Sequence, residues 1–299
     1  MSAQSQARYV KIGNRAWSHK SVLALLDSAN GRADPESLIR DRARTLVAQA
    51  LALRWPGPPY DPKILAGLRD IIVEPTDENI GAEARILARP DGSLLIQYDP
   101  TKAAARVNFS ICHEITHTFF PDCFETIHRR HGQHDHDYEL ECLCDLGSAE
   151  LLMPHESFER DLTSLGVSLN SVRELTVRYG ASGEAVLIRI AQLSNNPCAV
   201  VFLSEKMKPV QERAALTKEL DFGLPAVAQK LRVDYVYHEG LERRADDERL
   251  ANDAVLPRNR LAVGIQSSAD RMKRPWPIIS PAHVVFTCPD YFHWLLDRL

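Results

Sequence analysis

The segment His113-Glu114-Ile115-Thr116-His117 contains two histidines four residues apart, with a glutamate directly after the first. On a helix, both imidazoles would project from one face and could bind the same metal ion. Imidazole nitrogen is a common zinc ligand, and zinc lowers the pKa of a bound water to about 7. Glu114 could then take a proton from that water. The pattern predicts a zinc-dependent hydrolytic site, with His113 and His117 as metal ligands and Glu114 as general base.

A catalytic zinc site also needs a third protein ligand and one open position. Glu141 and Asp145 lie four residues apart in a downstream segment of helical pattern. This spacing suits a glutamate that binds zinc and an aspartate that orients one of the ligand histidines. Taken alone, Glu141 could be an ordinary solvated acid, but the upstream motif favours the ligand interpretation. Glu139 is the lesser candidate because it points away from this face.

Hydrophobic periodicity and turn residues predict the elements that position these side chains. Asp99-Pro100 is a helix-start signal, and a helix is predicted over residues 101–120, ended by a proline. A second helix is predicted over 137–153. Upstream, β-type runs at 85–88 and 94–98 flank a Pro-Asp-Gly turn and predict a hairpin. A hairpin followed by two helices therefore frames the site. Earlier in the chain, Asp-Pro pairs at 34–35 and 61–62 predict two further helices, and residues 71–73 a short strand.

The chain divides into three parts by its pattern. Residues 1–154 contain N-terminal helices and the metal site. Residues 155–197 indicate helices around Tyr179-Gly180-Ala181, which fit a helix-turn-helix or a plain helical hairpin; the plain hairpin is favoured because it is common in proteins that never contact DNA. Residues 198–299 contain strand-like runs with long polar stretches between them and predict a smaller α+β domain. The fold class is therefore α+β.

Composition excludes several other classes. The chain has 299 residues and a formal net charge of −4, which excludes a histone-like polycation and an acidic disordered chain. No run approaches the roughly 18 apolar residues that a membrane helix needs, and Met1–Trp17 has no apolar run of a secretory signal. Both observations predict a cytoplasmic protein. Six cysteines in such a chain do not indicate a disulfide framework.

The motifs in combination resemble the ImmA/IrrE family of zinc metallopeptidases. The similarity lies in His113–His117, in Glu141 with Cys144-Asp145, in the Leu-Leu-Met-Pro helix end at 151–154, and in the run 106–112 with its preceding hairpin. It covers about residues 35–200. Gly147 and Ser148 depart slightly from the family's usual pattern.

This resemblance implies a gluzincin-like domain with one zinc ion held by His113, His117 and Glu141, and with Glu114 as catalytic base. It also implies a substrate class: helix-turn-helix repressors of bacteria or phages, cut once to release transcription of stress, mobile-element or phage-defence genes. Larger relatives have a sensor-like C-terminal domain, and residues 198–299 occupy that place without a matching motif. The alternative is a zinc-containing DNA-associated regulator or antirepressor that acts through residues 168–193 without proteolysis. The glutamate of the motif argues against it, since a structural site needs no base.

Cysteines and histidines are dense around the motif. Cys123 follows His117 by six residues, and its thiolate could occupy the open zinc position and hold the enzyme inactive until a signal moves the loop. Cys112, Cys142 and Cys144 are predicted to pack as small apolar side chains. The segment 128–137 is rich in ligand types and fits either a second metal site or a polar loop, the latter being favoured.

Two further hypotheses concern what the chain binds. An extended substrate is predicted to add along an edge strand at Leu94–Tyr98, with His238, Tyr237, His155 or Tyr138 as unranked candidates to stabilise the oxyanion. In the C-terminal part, basic charge and an aromatic ring occur together in a pattern typical of single-strand binders, although a solvated loop is the simpler interpretation. The candidate contacts to single-stranded DNA, as an activating signal, are Arg271, Lys273, Arg274 and Trp276.

Overall fold

The structure is a computed structural model, and it describes residues 9–12, 15–30, 33–130, 138–193, 199–206, 230–238, 241–244 and 282–286. The chain forms two compact units. The first comprises Met1–Arg160 with Leu175–Ser182, and the second comprises Asp161–Glu174 with Gly183–Leu299. Helices and small sheets are mixed along the described residues, which confirms an α+β chain. No helix among them is long and apolar enough to cross a membrane.

The first unit begins with a short hairpin, β1 (Val10–Ile12) and β2 (Arg15–Trp17), followed by α1 (Lys20–Ser28). The sequence analysis did not predict these three elements. The next helix, α2 (Pro35–Ala52), begins as predicted, because Asp34 caps it by accepting the Ser37 amide. Asp61 caps α3 (Pro62–Gly67) in the same way. At these two positions the predicted helix starts are confirmed.

A three-stranded sheet precedes the site helices, with β3 (Ile71–Pro75), β4 (Ala84–Ala88) and β5 (Leu94–Tyr98) in the order β3-β5-β4. β5 pairs with β4 as the predicted antiparallel hairpin and with β3 in parallel. The prediction that Leu94–Tyr98 is an edge strand is therefore wrong. A hairpin reveals only the local partner of a strand, whereas the parallel partner β3 comes from earlier in the chain. Consistent with its central place, Ile96 is fully buried.

Two helices carry the predicted site. α4 (Ala104–His117) is shorter than predicted at both ends. At its start, Asp99 accepts hydrogen bonds from the amide and hydroxyl of Thr101, so the Asp-Pro signal forms a separate turn instead of the helix cap. At its end, the Thr118 hydroxyl donates to the Ile115 carbonyl and the chain tightens into a turn. α6 (Tyr138–Leu152) follows the predicted range closely.

A further helix, α5 (Cys123–Arg130), lies between α4 and residue 131, where the sequence analysis placed only a break after Pro121 and then a polar loop. After α6, three helices follow: α7 (His155–Leu165), α8 (Leu169–Tyr179) and α9 (Gly183–Leu193). Ser168 caps α8 by accepting the Ser171 amide. The turn between α8 and α9 is buried in the first unit, where Tyr179 packs on Phe158 and the Gly180 carbonyl accepts a hydrogen bond from Asn108 on α4.

The second unit contains a four-stranded antiparallel sheet in the order β8-β7-β6-β9. Its strands are β6 (Ala199–Lys206), β7 (Lys230–His238), β8 (Leu241–Arg244) and β9 (Ala282–Phe286). Three of the four correspond to strand-like runs that the sequence predicted. The sequence did not show β8, which is short and composed mainly of charged residues.

Candidate metal centre

The two histidines of α4 meet the carboxylate of Glu141 on α6. Nε2 of His113 lies 3.0 Å from Oε2 of Glu141, and Nε2 of His117 lies 3.9 Å from Oε1 of the same carboxylate. The two imidazole rings are 4.8 Å apart. The structure thus brings together the three residues that the sequence analysis proposed as metal ligands.

These separations can be compared with those around a zinc ion. Two ligands that bind zinc tetrahedrally through nitrogen and oxygen at 2.0–2.2 Å lie about 3.4 Å from each other. The separations of 3.0 and 3.9 Å from Glu141 to His113 and His117 lie on either side of that value. Two neutral imidazoles and one carboxylate are also a donor set that zinc prefers. The residues present therefore fit a zinc ion.

Asp145 fixes the orientation of His113. Its Oδ1 lies 3.0 Å from Nδ1 of His113, on the ring nitrogen that faces away from Glu141. Asp145 was proposed from its spacing to orient a histidine of the site, and its carboxylate reaches His113 as that role requires. When Nδ1 donates its proton to Asp145, Nε2 is left as the acceptor and available to a metal.

The same neighbours control the protonation of His113. Burial alone lowers its pKa, but the hydrogen bonds to Asp145 and Glu141 and the nearby charge of Glu114 outweigh burial and raise the pKa to about 10. Without a metal, the His113 ring is therefore protonated and positively charged at neutral pH. This charge balances the carboxylates of Glu141 and Asp145, as a metal ion would.

Glu114 follows His113 directly on α4. It is half-buried, and its Oε2 atom is fully shielded from solvent. The carboxylates of Glu141 and Asp145 are more open, with exposed side-chain fractions of 44% and 59%, whereas His117 is 5% exposed. The site is therefore open to solvent on the α6 side and closed behind His117. A peptide could approach the histidines from the open side.

A cysteine that the sequence analysis assigned to the core lies against the site. Sγ of Cys144, on α6, is 3.2 Å from Nδ1 of His117, and both side chains are buried. Within the described residues, His113, His117 and Cys144 are a group of possible metal-binding side chains whose donor atoms lie within 4.8 Å of one another. The helical period placed Cys144 on the core-facing stripe of α6, which is correct. The period could not show that the residue of α4 in contact with Cys144 is His117.

Cys123 lies on α5 and not in that group. It lines a cavity of about 10 Å³, room for roughly one water molecule, together with His117, Ser21 and Thr126. Burial is the main cause that raises the pKa of the Cys123 thiol, although Arg69 acts in the opposite direction. A raised pKa disfavours the thiolate that zinc would need. Inhibition by Cys123 remains a prediction.

Glu139 is engaged away from the site. Its carboxylate accepts hydrogen bonds from the backbone amides of Ser18 and His19 and from the Ser18 hydroxyl, at 2.8–3.0 Å. It ties α6 to the start of α1. In the same segment, Lys20 pairs with Glu125 of α5, and Ser21 donates to Asp122 just before α5. The N-terminal segment thus holds both helices that flank residues 131–137.

Two arginines hold the end of α4 that carries His117. Arg69 donates to the carbonyl and the hydroxyl of Thr118 and stacks over the ring of Phe119, while Arg42 donates to the Phe119 carbonyl. Carbonyl groups at a helix end have no partner within the helix and carry partial negative charge, so cationic donors stabilise them. Sequence spacing gave no signal for this pair because Arg42 and Arg69 come from separate elements.

Other predicted residues are placed as follows. His155 pairs with Glu159 one turn along α7, and Tyr138 is exposed at the first turn of α6, three residues before Glu141. Tyr237 and His238 lie on β7. Arg271, Lys273, Arg274 and Trp276 lie outside the described residues, as do residues 131–137 of the histidine-rich segment.

The fold and the site together define a mixed α+β domain with a candidate metal centre between two helices. Residues 70–191, which include the centre, match the family model described as Peptidase M78, the IrrE N-terminal-like domain. This part of the chain is therefore similar to the IrrE N-terminal-like metallopeptidase domain, which supports the resemblance stated from the sequence.

Known proteins that are similar to this chain include a curated metalloprotease and a solved transcriptional regulator. Over 95 residues it is 30% identical to the radiation response metalloprotease IrrE of Deinococcus deserti, an alignment that covers 31% of this chain and 34% of that protein. The chain thus spans about a third of the length of the curated relative it matches. Among solved structures, a Mycobacterium tuberculosis transcriptional regulator matches at a TM-score of 0.42 with 16% identity, covering 62% of this chain and 56% of the other.

Proposed function

We propose that this protein is a zinc-dependent endopeptidase that cleaves a helix-turn-helix transcriptional repressor and so derepresses genes of stress response, mobile elements or phage defence. The observation that carries the catalytic part is the meeting of His113, His117 and one carboxylate of Glu141, with Asp145 on the far nitrogen of His113. The repressor as substrate rests on the resemblance to the ImmA/IrrE family.

His113, His117 and Glu141 would hold the zinc ion. When bound there, zinc would polarise the scissile carbonyl and make a water acidic enough to be activated at neutral pH. Glu114 would take the proton from the attacking water and pass it to the leaving amine. Asp145 keeps the His113 ring turned toward the site. Tyr138 shares a helical face with Glu141 and is exposed, which favours it among the candidates for oxyanion stabilisation.

The substrate would add to β4, not to β5. β4 packs against both α4 and α5, and within the described residues its outer edge pairs with no other strand. An extended peptide could therefore form backbone hydrogen bonds along β4 and lie beside the site helix. This replaces the docking strand expected from sequence while keeping the same mode of binding.

The alternative function, a DNA-associated regulator without proteolysis, would need α9 to act as a recognition helix. Recognition helices contact DNA with exposed polar and basic side chains. The one arginine of α9, Arg189, is 2% exposed, and most of the helix is buried. The structure of α9 favours a plain helical hairpin in this place.

The proposal is tested by comparing the wild type with Glu114→Gln. Both proteins should bind one zinc per chain, measured by mass spectrometry of the metal content. Protein N-termini should then be compared between cells that express each form. The expected result is a new N-terminus inside a helix-turn-helix repressor, present only with the wild type. Identical sets of termini, or zinc-loaded Glu114→Gln that still cleaves, would contradict the proposal.

A further inference from the structure

Both histidines of the metal centre have a partner on their Nδ1 atom, and the two partners are consecutive residues of α6. Asp145 lies 3.0 Å from Nδ1 of His113, and Sγ of Cys144 lies 3.2 Å from Nδ1 of His117. Ligand histidines in metal sites commonly donate this second N–H to a carboxylate, carbonyl or water, which fixes the ring and its tautomer. A cysteine sulfur takes that place for His117.

We propose that Cys144 is a positioning residue for the metal centre: its sulfur accepts the Nδ1–H of His117 and so holds Nε2 of that ring toward the ion. The inference rests on the proposed function, since it assigns a role within the same site. It adds a residue that neither the helical pattern nor the motif identified.

The geometry separates this role from that of a metal ligand. Nδ1 and Nε2 of one imidazole point in different directions, and Nε2 of His117 is the nitrogen that faces Glu141. A zinc ion bound by Glu141 and Nε2 would therefore lie on the other side of the ring from Cys144.

Burial explains why a sulfur suits this position. Cys144 is 0% exposed and His117 is 4% exposed, so the contact excludes water. Asp145 reaches His113 from a side that is largely open to solvent, where a carboxylate keeps its hydration. A second carboxylate at position 144 would be a charge inside the core, which is costly unless paired. A thiol gives a weak acceptor without that cost.

The test measures zinc affinity by chelator competition in the wild type, Cys144→Ala, Cys144→Ser and the control Cys112→Ala. Cys112 is equally buried, on α4, and its substitution likewise removes one buried sulfur atom. Loss of the contact should raise the zinc dissociation constant of Cys144→Ala by about 10-fold, within the range found for such partners. Cys144→Ser should recover part of that loss because its hydroxyl can accept the same proton, and Cys112→Ala should match the wild type.

Two spectroscopic measurements do not depend on activity. Nitrogen NMR of the zinc-loaded wild type should show His117 protonated on Nδ1, and this readout needs no variant to fold. The cobalt-substituted protein should lack a thiolate-to-cobalt charge-transfer band. Such a band, lost in Cys144→Ala, would make Cys144 a ligand and overturn the proposal, as would an unchanged zinc affinity in that variant. Wild-type protein that takes up no zinc would instead refute the proposed function.

Discussion

Gly147 on α6 faces Thr116 on α4 so closely that a β-carbon at position 147 would lie 2.4 Å from Cγ2 and 2.7 Å from Oγ1 of Thr116. The two helices that carry the candidate metal centre approach each other closely at this point. Only glycine allows this approach without displacement of one helix.

Gly147→Ala should therefore separate α4 from α6 and move Glu141 away from the histidines. We expect a loss of stability of about 1–3 kcal/mol from overpacking, together with weaker zinc binding. Urea unfolding and chelator competition would measure the two effects. The double variant Thr116→Ala/Gly147→Ala removes the two closest atoms and leaves Ile39 Cγ2 at 3.0 Å, so both properties should return part of the way toward wild type. A single variant as stable as wild type would contradict the close approach.

Zinc binding should release protons at neutral pH. Because the pKa of His113 is raised to about 10, the metal-free site carries a proton that the metal must displace. The zinc affinity should accordingly increase with pH up to that value. Calorimetry near pH 7.5 in buffers of different ionisation enthalpy should show about one proton released per zinc bound. Asp145→Asn removes a hydrogen bond that raises this pKa, so it should release fewer protons. Equal release in both proteins would exclude His113 as the source.

The contact of Glu139 with the start of α1 should make stability depend on pH. Burial raises the pKa of Glu139, but the hydrogen bonds from His19 and Ser18 lower it further, so that the net shift is downward. The carboxylate then stabilises the fold above the ordinary pKa of about 4.3, and this contribution is lost as the pH falls through the lowered value.

Glu139→Gln should consequently be less stable than wild type at pH 7 by about 1 kcal/mol, a modest figure because the carboxylate is partly exposed. The difference should shrink as the pH falls from ~4 through the lowered pKa, below which Glu139 is protonated in both folded and unfolded chains. Urea unfolding at the two pH values measures it. Glu125→Gln, whose carboxylate forms an exposed pair with Lys20, is the matched control and should change stability by less than about 0.5 kcal/mol.

The docking of substrate on β4 can be tested through one backbone amide. The Asp99 backbone amide donates to the Glu83 carbonyl, and the Arg89 amide donates to the Ser93 carbonyl. These bonds flank the β4-β5 ladder, so the backbone groups of the odd-numbered residues of β4 face β5. The amides of Ala84, Ile86 and Ala88 then point outward. Ala88→Pro removes one of these outward amides while leaving the β4-β5 ladder intact.

Ala88→Pro should keep the zinc content and the fold, and should lower kcat/KM on the repressor by about 10-fold, the value of one lost hydrogen bond. Ala88→Val keeps the amide and should behave as wild type. If both variants cleave equally well, the substrate does not add along β4. Circular dichroism and metal analysis of both variants would establish that the comparison concerns binding and not folding.

Sequence reasoning was most successful where the structure follows from spacing within one helix. His113 and His117 share a face because of the helical period, and Glu141 and Asp145 share another for the same reason. The range of α6 followed from its proline signal, whereas α4 is shorter than its Asp-Pro and proline signals predicted. The period also correctly placed Cys144 on the buried stripe of α6.

The features that sequence missed depend on partners far apart in the chain. The parallel pairing of β3 with β5, the arginines at the end of α4 and the contact of Ser18 with Glu139 all join separate elements, and no local pattern encodes them. α5 was missed because a proline and a run of polar residues resemble a loop. The sulfur contact of His117 was missed because a buried cysteine on a core stripe has the same pattern whether its neighbour is a leucine or a histidine.

The turn at Tyr179-Gly180 has a consequence for dividing the chain. The first unit contains Leu175–Ser182, yet Asp161–Glu174 belongs to the second, so the backbone passes from one unit to the other three times. Cutting anywhere between 160 and 174 would take from the first unit the Tyr179 ring that packs on Phe158 and the carbonyl that binds Asn108. A fragment that ends at residue 154 would thus lack both rings and leave Asn108 on α4 without this carbonyl partner, while one that extends through residue 182 keeps these contacts.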